Sequence, residues 1–309
     1  LTEPPTLILK LDRASVWMIG GAFLLATMGA LSHSIGQRCD WYIIALFRAF
    51  MMLVTATILV KSSGADLVFW KPRTLWVRSL AGSFSLVCNF FALTHLHVAD
   101  AITLMNMQPL WIVMISALIL WRRPTPTEFL GVACGLAGVF LIESPQLEGN
   151  RLAVFVALMS SASSAVAMLG LHRLRQVDPR AIVAHFAGVA TLVSAVCLCF
   201  AWRSGSPIRF EAGGSLFGLL IAIGASGTLG QILLTKAYAV GSPTKVATVG
   251  LIQVVFGMIF EVTLWNRQLT PITLLGFVLV LAPTTWLSLR SARAGKPTEA
   301  RPLEPAIRD

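Results

Sequence analysis

Residues 98–121 read VADAITLMNMQPLWIVMISALILW, and residues 243–266 read PTKVATVGLIQVVFGMIFEVTLWN. At a shift of 145 residues the two stretches align Thr103 with Thr248 and Gln108 with Gln253. The register runs on without a gap over some 60 positions: Gly82 meets Gly227, Ala92 meets Ala237, Arg122 meets Arg267, Pro126 meets Pro271, and Leu130-Gly131 meets Leu275-Gly276. Matched Leu or Ala pairs arise by chance in an apolar chain, but matched Gln, Arg and Pro are harder to obtain by accident. A weaker echo, at a shift of 139, joins Ile43-Ile44-Ala45-Leu46-Phe47 to Ile182-Val183-Ala184-His185-Phe186. The chain is two copies of one unit.

The solvent of that unit follows from its composition. Of 309 residues 56% are hydrophobic and 12% are charged, with mean hydropathy +0.77. A soluble domain carries about 25% charged residues, so lipid must surround most of this chain. Apolar runs separated by loop signals fall at 16–37, 42–60, 75–94, 99–121, 126–142, 152–171, 181–202, 214–238, 244–265 and 270–289. The runs lack the alternation of barrel strands, and an open sheet edge cannot stand in hydrocarbon, so they are helices. Ten helices make two sets of five. Five is odd, so the second set enters the membrane from the opposite face. The expected fold is therefore an all-α membrane protein of ten transmembrane helices, built as two inverted five-helix repeats around a central cavity. Alternating-access carriers use this arrangement, with the site near the midplane.

Charge gives the orientation. With the N-terminus placed in the cytoplasm, 16 of the 24 Lys and Arg lie on that side and five lie opposite, while Arg48, Lys236 and Lys245 fall within or at the ends of spans. This positive-inside bias puts both termini in the cytoplasm. The division expected is a cytoplasmic segment 1–15, a first repeat 16–142, a second repeat 152–289, and a disordered cytoplasmic tail 290–309. The run after Lys10 and Arg13 is longer than a signal-peptide core of about 7–15 residues, and further spans follow at once, so it reads as the first helix. The net charge of +10 sits in loops rather than on a soluble face, which argues against a nucleic-acid partner. The five scattered cysteines have neither disulfide nor metal spacing.

Polar residues inside apolar spans are expensive and mark candidate sites. Gln108 and Gln253 each lie about nine residues into a span, about 13 Å of rise, and symmetry places them on equivalent faces. Asn106, Thr103 and Thr248 lie one or two turns away. Trp111, one turn beyond Gln108, is placed to stack on a substrate ring. Arg48 sits too deep for easy snorkelling, and is there to meet an anionic group or to anchor a neighbouring carbonyl or carboxylate. Asn89 reads as a satisfied packing residue or a ligand. His33 and Gln37 stand near the cavity mouth. Glu261 is the acid best placed for ion coupling, by pairing with Arg48 or taking up a proton, unless it reaches the interface. For the glutamines the competing reading is interhelical packing.

The pattern Phe91-Ala92-Leu93, Val98-Ala99-Asp100-Ala101, Pro109, Leu130-Gly131 and Gly138-Val139 resembles the EamA-type transporters of the drug/metabolite transporter superfamily. Its second copy is Lys236-Ala237-Tyr238, Gly241-Ser242-Pro243 and Leu275-Gly276, and Phe47-Arg48 also fits. The glutamate that this family often carries after the fourth and ninth spans is missing from Leu120-Trp121-Arg122 and Trp265-Asn266-Arg267. The resemblance spans about 16–289 and implies a five-plus-five fold that moves metabolites through a central cavity. The expected function is a secondary transporter of a small metabolite or drug-like solute. A non-transporting receptor or scaffold and an intramembrane enzyme are the alternatives. No nucleotide-binding loop, zinc spacing or nucleophile–base constellation stands in the sequence, so neither a cofactor nor a metal is expected. The expected partners are the solute, membrane lipid, and a proton or other coupling ion, with a homodimer left open. The expected location is a bacterial cytoplasmic membrane.

Overall fold

The computed structural model describes residues 12–36, 38–96, 98–119, 125–144, 151–205, 208–211 and 213–293. Gln37, Trp121, Arg122 and Arg123 lie outside these residues, as do the chain up to residue 11 and the tail from 294. The elements are α1 (Arg13–Ile35), α2 (Trp41–Ser62), α3 (Arg73–His95), α4 (Val98–Met105), α5 (Gln108–Ile119) and α6 (Pro126–Glu143). The second repeat follows with α7 (Arg151–Arg173), α8 (Pro179–Arg203), α9 (Gly214–Val240), α10 (Pro243–Gly250), α11 (Ile252–Trp265) and α12 (Pro271–Arg293). The chain is an integral multi-pass membrane protein.

Local signals set the helix starts. Pro126 and Pro179 stand in the first turn, where a missing N–H costs nothing. Thr125 caps α6 by accepting from the Glu128 N–H at 3.3 Å, and Glu128 Oε2 accepts from the Thr125 N–H at 3.0 Å. Asp178 caps α8, accepting from the Arg180 N–H at 2.7 Å. α1 begins at Arg13 rather than 16, since the Asp12 carbonyl already accepts from Val16 at 3.1 Å. α12 runs on to Arg293, with no helix breaker between Pro283 and Gly295.

Two features refine the expected spans. The fourth and ninth are helical spans interrupted within the membrane. The fourth breaks at Asn106 and Met107, between α4 and α5, and the ninth breaks at Leu251, between α10 and α11. These are the same place in the two repeats, since Asn106 aligns with Leu251. In the fourth, Pro109 cannot donate and its ring crowds the carbonyl four residues earlier. Tight i+3 bonds replace the ladder at both breaks, Met107 to Leu104 at 3.2 Å and Leu251 to Thr248 at 3.2 Å. Second, nine helical stretches among the described residues are long and apolar enough to cross a membrane, and α3 is not one of them. Arg78, Ser79, Ser83, Ser85 and Asn89 dilute its apolar run. α3 nonetheless has 23 residues and packs as the counterpart of α9.

The packing follows the repeat. α1 packs on α9 and α7 packs on α3, which are one interface seen twice, while α2–α8 and α6–α12 pair elements that exchange with each other. The register is visible in single contacts. A Cβ on Gly21 of α1 would meet the Gly230 carbonyl and the Leu234 nitrogen of α9, each at 3.2 Å. Ser160 of α7 meets the aligned residues of α3, donating to the Ser85 carbonyl at 2.9 Å and to Asn89. At the α6–α12 crossing a Cβ on Gly138 would lie 2.7 Å from the Gly276 oxygen, so glycine sets that approach.

Candidate substrate site

The two breaks face each other across one cavity. Asn106, Gln108 and Pro109 line it from the first, and Gly250, Leu251 and Gln253 from the second. Met18 of α1, Leu234 and Tyr238 of α9, and Ala247 of α10 complete the walls. In this conformation the cavity has a volume of about 70 Å³. No lining residue is ionised. The polar groups are three amides and a phenol, set among a thioether, a proline ring and alkyl chains.

The glutamines are not equivalent in their bonding. Gln108, the first residue of α5, accepts from Ser164 Oγ of α7 at 3.0 Å and donates to the Tyr238 hydroxyl of α9 at 3.4 Å. Gln253, in the first turn of α11, makes no side-chain hydrogen bond among the described residues. Asn106 turns its amide back onto the Ile102 carbonyl at 2.9 Å, at the end of α4. Backbone groups freed from the helix ladder at the breaks need partners, and non-helical backbone at membrane depth is tolerated where it lines a cavity.

The other sequence candidates lie outside the cavity. Thr103 is fully buried, and Thr248 donates to the Thr244 carbonyl at 3.0 Å. Trp111 donates to Ser161 Oγ at 2.9 Å, which fixes its ring against α7. Asn89 accepts from Ser160. Arg48 is half-buried with an unpartnered Nε, beside Gly227 of α9, where a Cβ would lie 3.3 Å from that nitrogen. Glu261 pairs with Arg267 rather than Arg48, and Arg267 also donates to the Ile142 carbonyl at 3.3 Å. His33 stacks edge-on against Trp265, with centroids 4.9 Å apart.

Tyr238 is the site residue that polarity alone did not single out. It is one of two tyrosines in the chain and is 1% exposed. A buried phenol usually has a partner for its hydroxyl, and that rule was the available signal. Arg78 moves in the other direction. Among the loop charges in sequence, it is 1% exposed here, with its guanidinium 4.1 Å from the Phe186 ring centre.

Comparison with known proteins agrees with this architecture. The sequence model of the EamA-like transporter family matches residues 12–144 and again 151–289. The pseudopaline exporter CntI of Pseudomonas aeruginosa is 28% identical over 288 residues, covering 91% of this chain and 98% of that protein. Human solute carrier family 35 member G1 is 25% identical over 230 residues, 70% of this chain and 62% of its own. A solved crystal structure, 18% identical, superposes with a TM-score of 0.77 over 92% of this chain and 99% of that one, so the two share a fold. The chain belongs to the EamA-like transporter family.

Proposed function

We propose that this chain is a secondary transporter that carries a small solute across the membrane by alternating access, with the solute held where the two helix breaks meet. The observation that carries the reading is the coincidence of the breaks. They fall at aligned positions of two inverted repeats, and their residues line one cavity. Broken helices at the repeat interface are where such carriers hold cargo. Gln108, Gln253 and Asn106 supply donors and acceptors, and Met18, Leu234 and Tyr238 supply apolar wall. Thr103, Thr248, Trp111, Asn89 and Arg48 stand outside this lining and enter the reading only as residues of the neighbouring packing. With no ionised lining residue, the cargo that fits is a metabolite or drug-like solute that is neutral or zwitterionic overall, because an uncompensated charge would lose its hydration without a counter-charge.

Similarity to an exporter supports outward movement, and a bacterial relative supports placement in a cytoplasmic membrane, with both termini inside by the charge bias. For an ion-coupled cycle Glu261, paired with Arg267, is the candidate acid. Flux in proteoliposomes tests the reading, with pseudopaline as the first cargo and a panel of zwitterionic metabolites after it. Wild-type protein is expected to move a cargo that Gln108→Ala and Gln253→Ala move poorly at equal membrane abundance. Turnover of a metabolite without flux would favour an enzyme. Equal flux in both variants would remove the site.

A further inference from the structure

The two repeats are alike in sequence but not in their contacts. α10 touches α5, α6 and α7, and α9 touches α7 and α8. The repeat-equivalent contacts would be α4 with α11, α12 and α1, and α3 with α1 and α2. Among the described residues none of these is comparable. The buried clusters show the same imbalance. On the side where α1 begins, one apolar cluster draws on both repeats, from Met18 and Leu75 through Ile112 and Leu171 to Tyr238 and Val249. On the opposite side the clusters are smaller and separate, one of Ala92, Ala101, Leu104 and Ala157 joining α3 and α4 to α7, the other of Ile35, Cys39, Ile44, Leu216, Leu220 and Ile223 joining α1 and α2 to α9. The cavity is thus shut toward the N-terminal side.

Tyr238 stands where that closure meets the cavity. Its ring belongs to the cluster, its hydroxyl lies at the cavity wall, and Gln108 donates to it at 3.4 Å. Gln108 also accepts from Ser164, so one amide ties α5, α7 and α9 together across the repeat boundary. The aligned residues are Gln253 and Leu93, and leucine cannot accept a hydrogen bond. The symmetry-equivalent of this particular bond, between residues 253 and 93, therefore cannot form on the other side.

We propose that the Gln108–Tyr238 bond is a latch that holds the N-terminal side shut in the empty carrier, and that cargo opens it by taking the Gln108 amide. The proposal rests on the transporter reading and makes Tyr238 a positioning residue that senses cargo through Gln108. The bond is long for an amide and a phenol, so a cargo oxygen at normal distance displaces it. The apolar cluster supplies most of the closure, and the latch biases it.

Labelling that requires no cargo tests this. In a background with Cys39, Cys88, Cys134, Cys197 and Cys199 replaced, Val249→Cys puts a reporter at a site that is 0% exposed in the closed cluster. A membrane-impermeant maleimide is applied to the face that carries the N-terminus. Tyr238→Phe keeps the ring and removes the hydroxyl, and is expected to speed labelling about two- to twelvefold, the range of one neutral hydrogen bond. Tyr238→Leu should do at least as much. Gln108→Ala, which also releases Ser164, should do at least as much as Tyr238→Phe, and adding Tyr238→Phe to it should bring no further increase. Unchanged labelling in Tyr238→Phe, or additive effects of the two changes, would overturn the latch. Absence of flux in proteoliposomes would remove the transporter reading while leaving this labelling result in place, so the two failures are separable.

Discussion

Arg78 carries a guanidinium whose three nitrogens lack an acceptor among the described residues, with the Phe186 ring stacked on it. A buried charge without a hydrogen-bonding partner costs several kcal/mol, and an apolar side chain of similar volume in its place is often neutral or stabilising. Arg78→Met is therefore expected to raise the midpoint of thermal unfolding in detergent. A lower midpoint would show that an anion or acceptor serves Arg78 in the membrane. The two glutamines separate at the same scale. If Gln253 binds cargo as proposed, Gln253→Ala should weaken cargo affinity by roughly fivefold, the worth of one hydrogen bond, and leave Val249→Cys labelling unchanged. Gln108→Ala should change both. Isothermal titration alongside labelling reads the two effects separately, and identical behaviour of the two variants would contradict the division of roles.

The breaks in the fourth and ninth spans are the elements on which the site depends. Pro109 denies α4 and α5 a continuous ladder, so Pro109→Ala should let them fuse, restoring bonds worth about 3 kcal/mol in a helix interior. The expected outcome is a more heat-stable protein with less flux, and a variant of unchanged stability and flux would show that the break has another cause. This element also shows what sequence reading could reach. The ten apolar runs, the 145-residue shift and the glutamines near mid-span were legible because hydrophobicity and repetition are local or register properties. The break was not, although Pro109 and Gly250 stand at it. An apolar run with one proline looks alike whether neighbours straighten it or part it. α3 is the opposite case, a helix expected over 75–94 and present, whose polar residues dilute its apolar run while its polar face is buried against α7, where Ser160 and Ser163 meet Ser85 and Ala81. Tyr238 meets Gln108 across 130 residues, which no spacing along the chain reveals, whereas Glu261 and Arg267 stand six apart and pair where the chain turns at Asn266.

At the scale of the whole molecule, the fold is two inverted units joined at their most intimate along α6 and α12. Gly138 and Gly276 approach backbone to backbone there, so Gly138→Val would place methyl groups where the Gly276 oxygen and Val280 already sit. Overpacking of that kind costs about 1–3 kcal/mol, and a thermal-shift assay should record the loss. A midpoint equal to wild type would mean that this crossing is not close. The structure is shut on the N-terminal side, and an alternating-access carrier must also visit the state in which the repeats exchange contacts. Spin labels can read both sides at once. Val16 and Leu118 are exposed on α1 and α5 toward the N-terminal side, and Phe155 and Leu264 are exposed on α7 and α11 toward the other. Double electron–electron resonance on each labelled pair in nanodiscs, with and without a bound cargo, is the most direct test of the account. It predicts two distances at each pair whose populations shift in opposite directions, one side lengthening as the other shortens. A single distance at both pairs, indifferent to a cargo shown to bind, would contradict it.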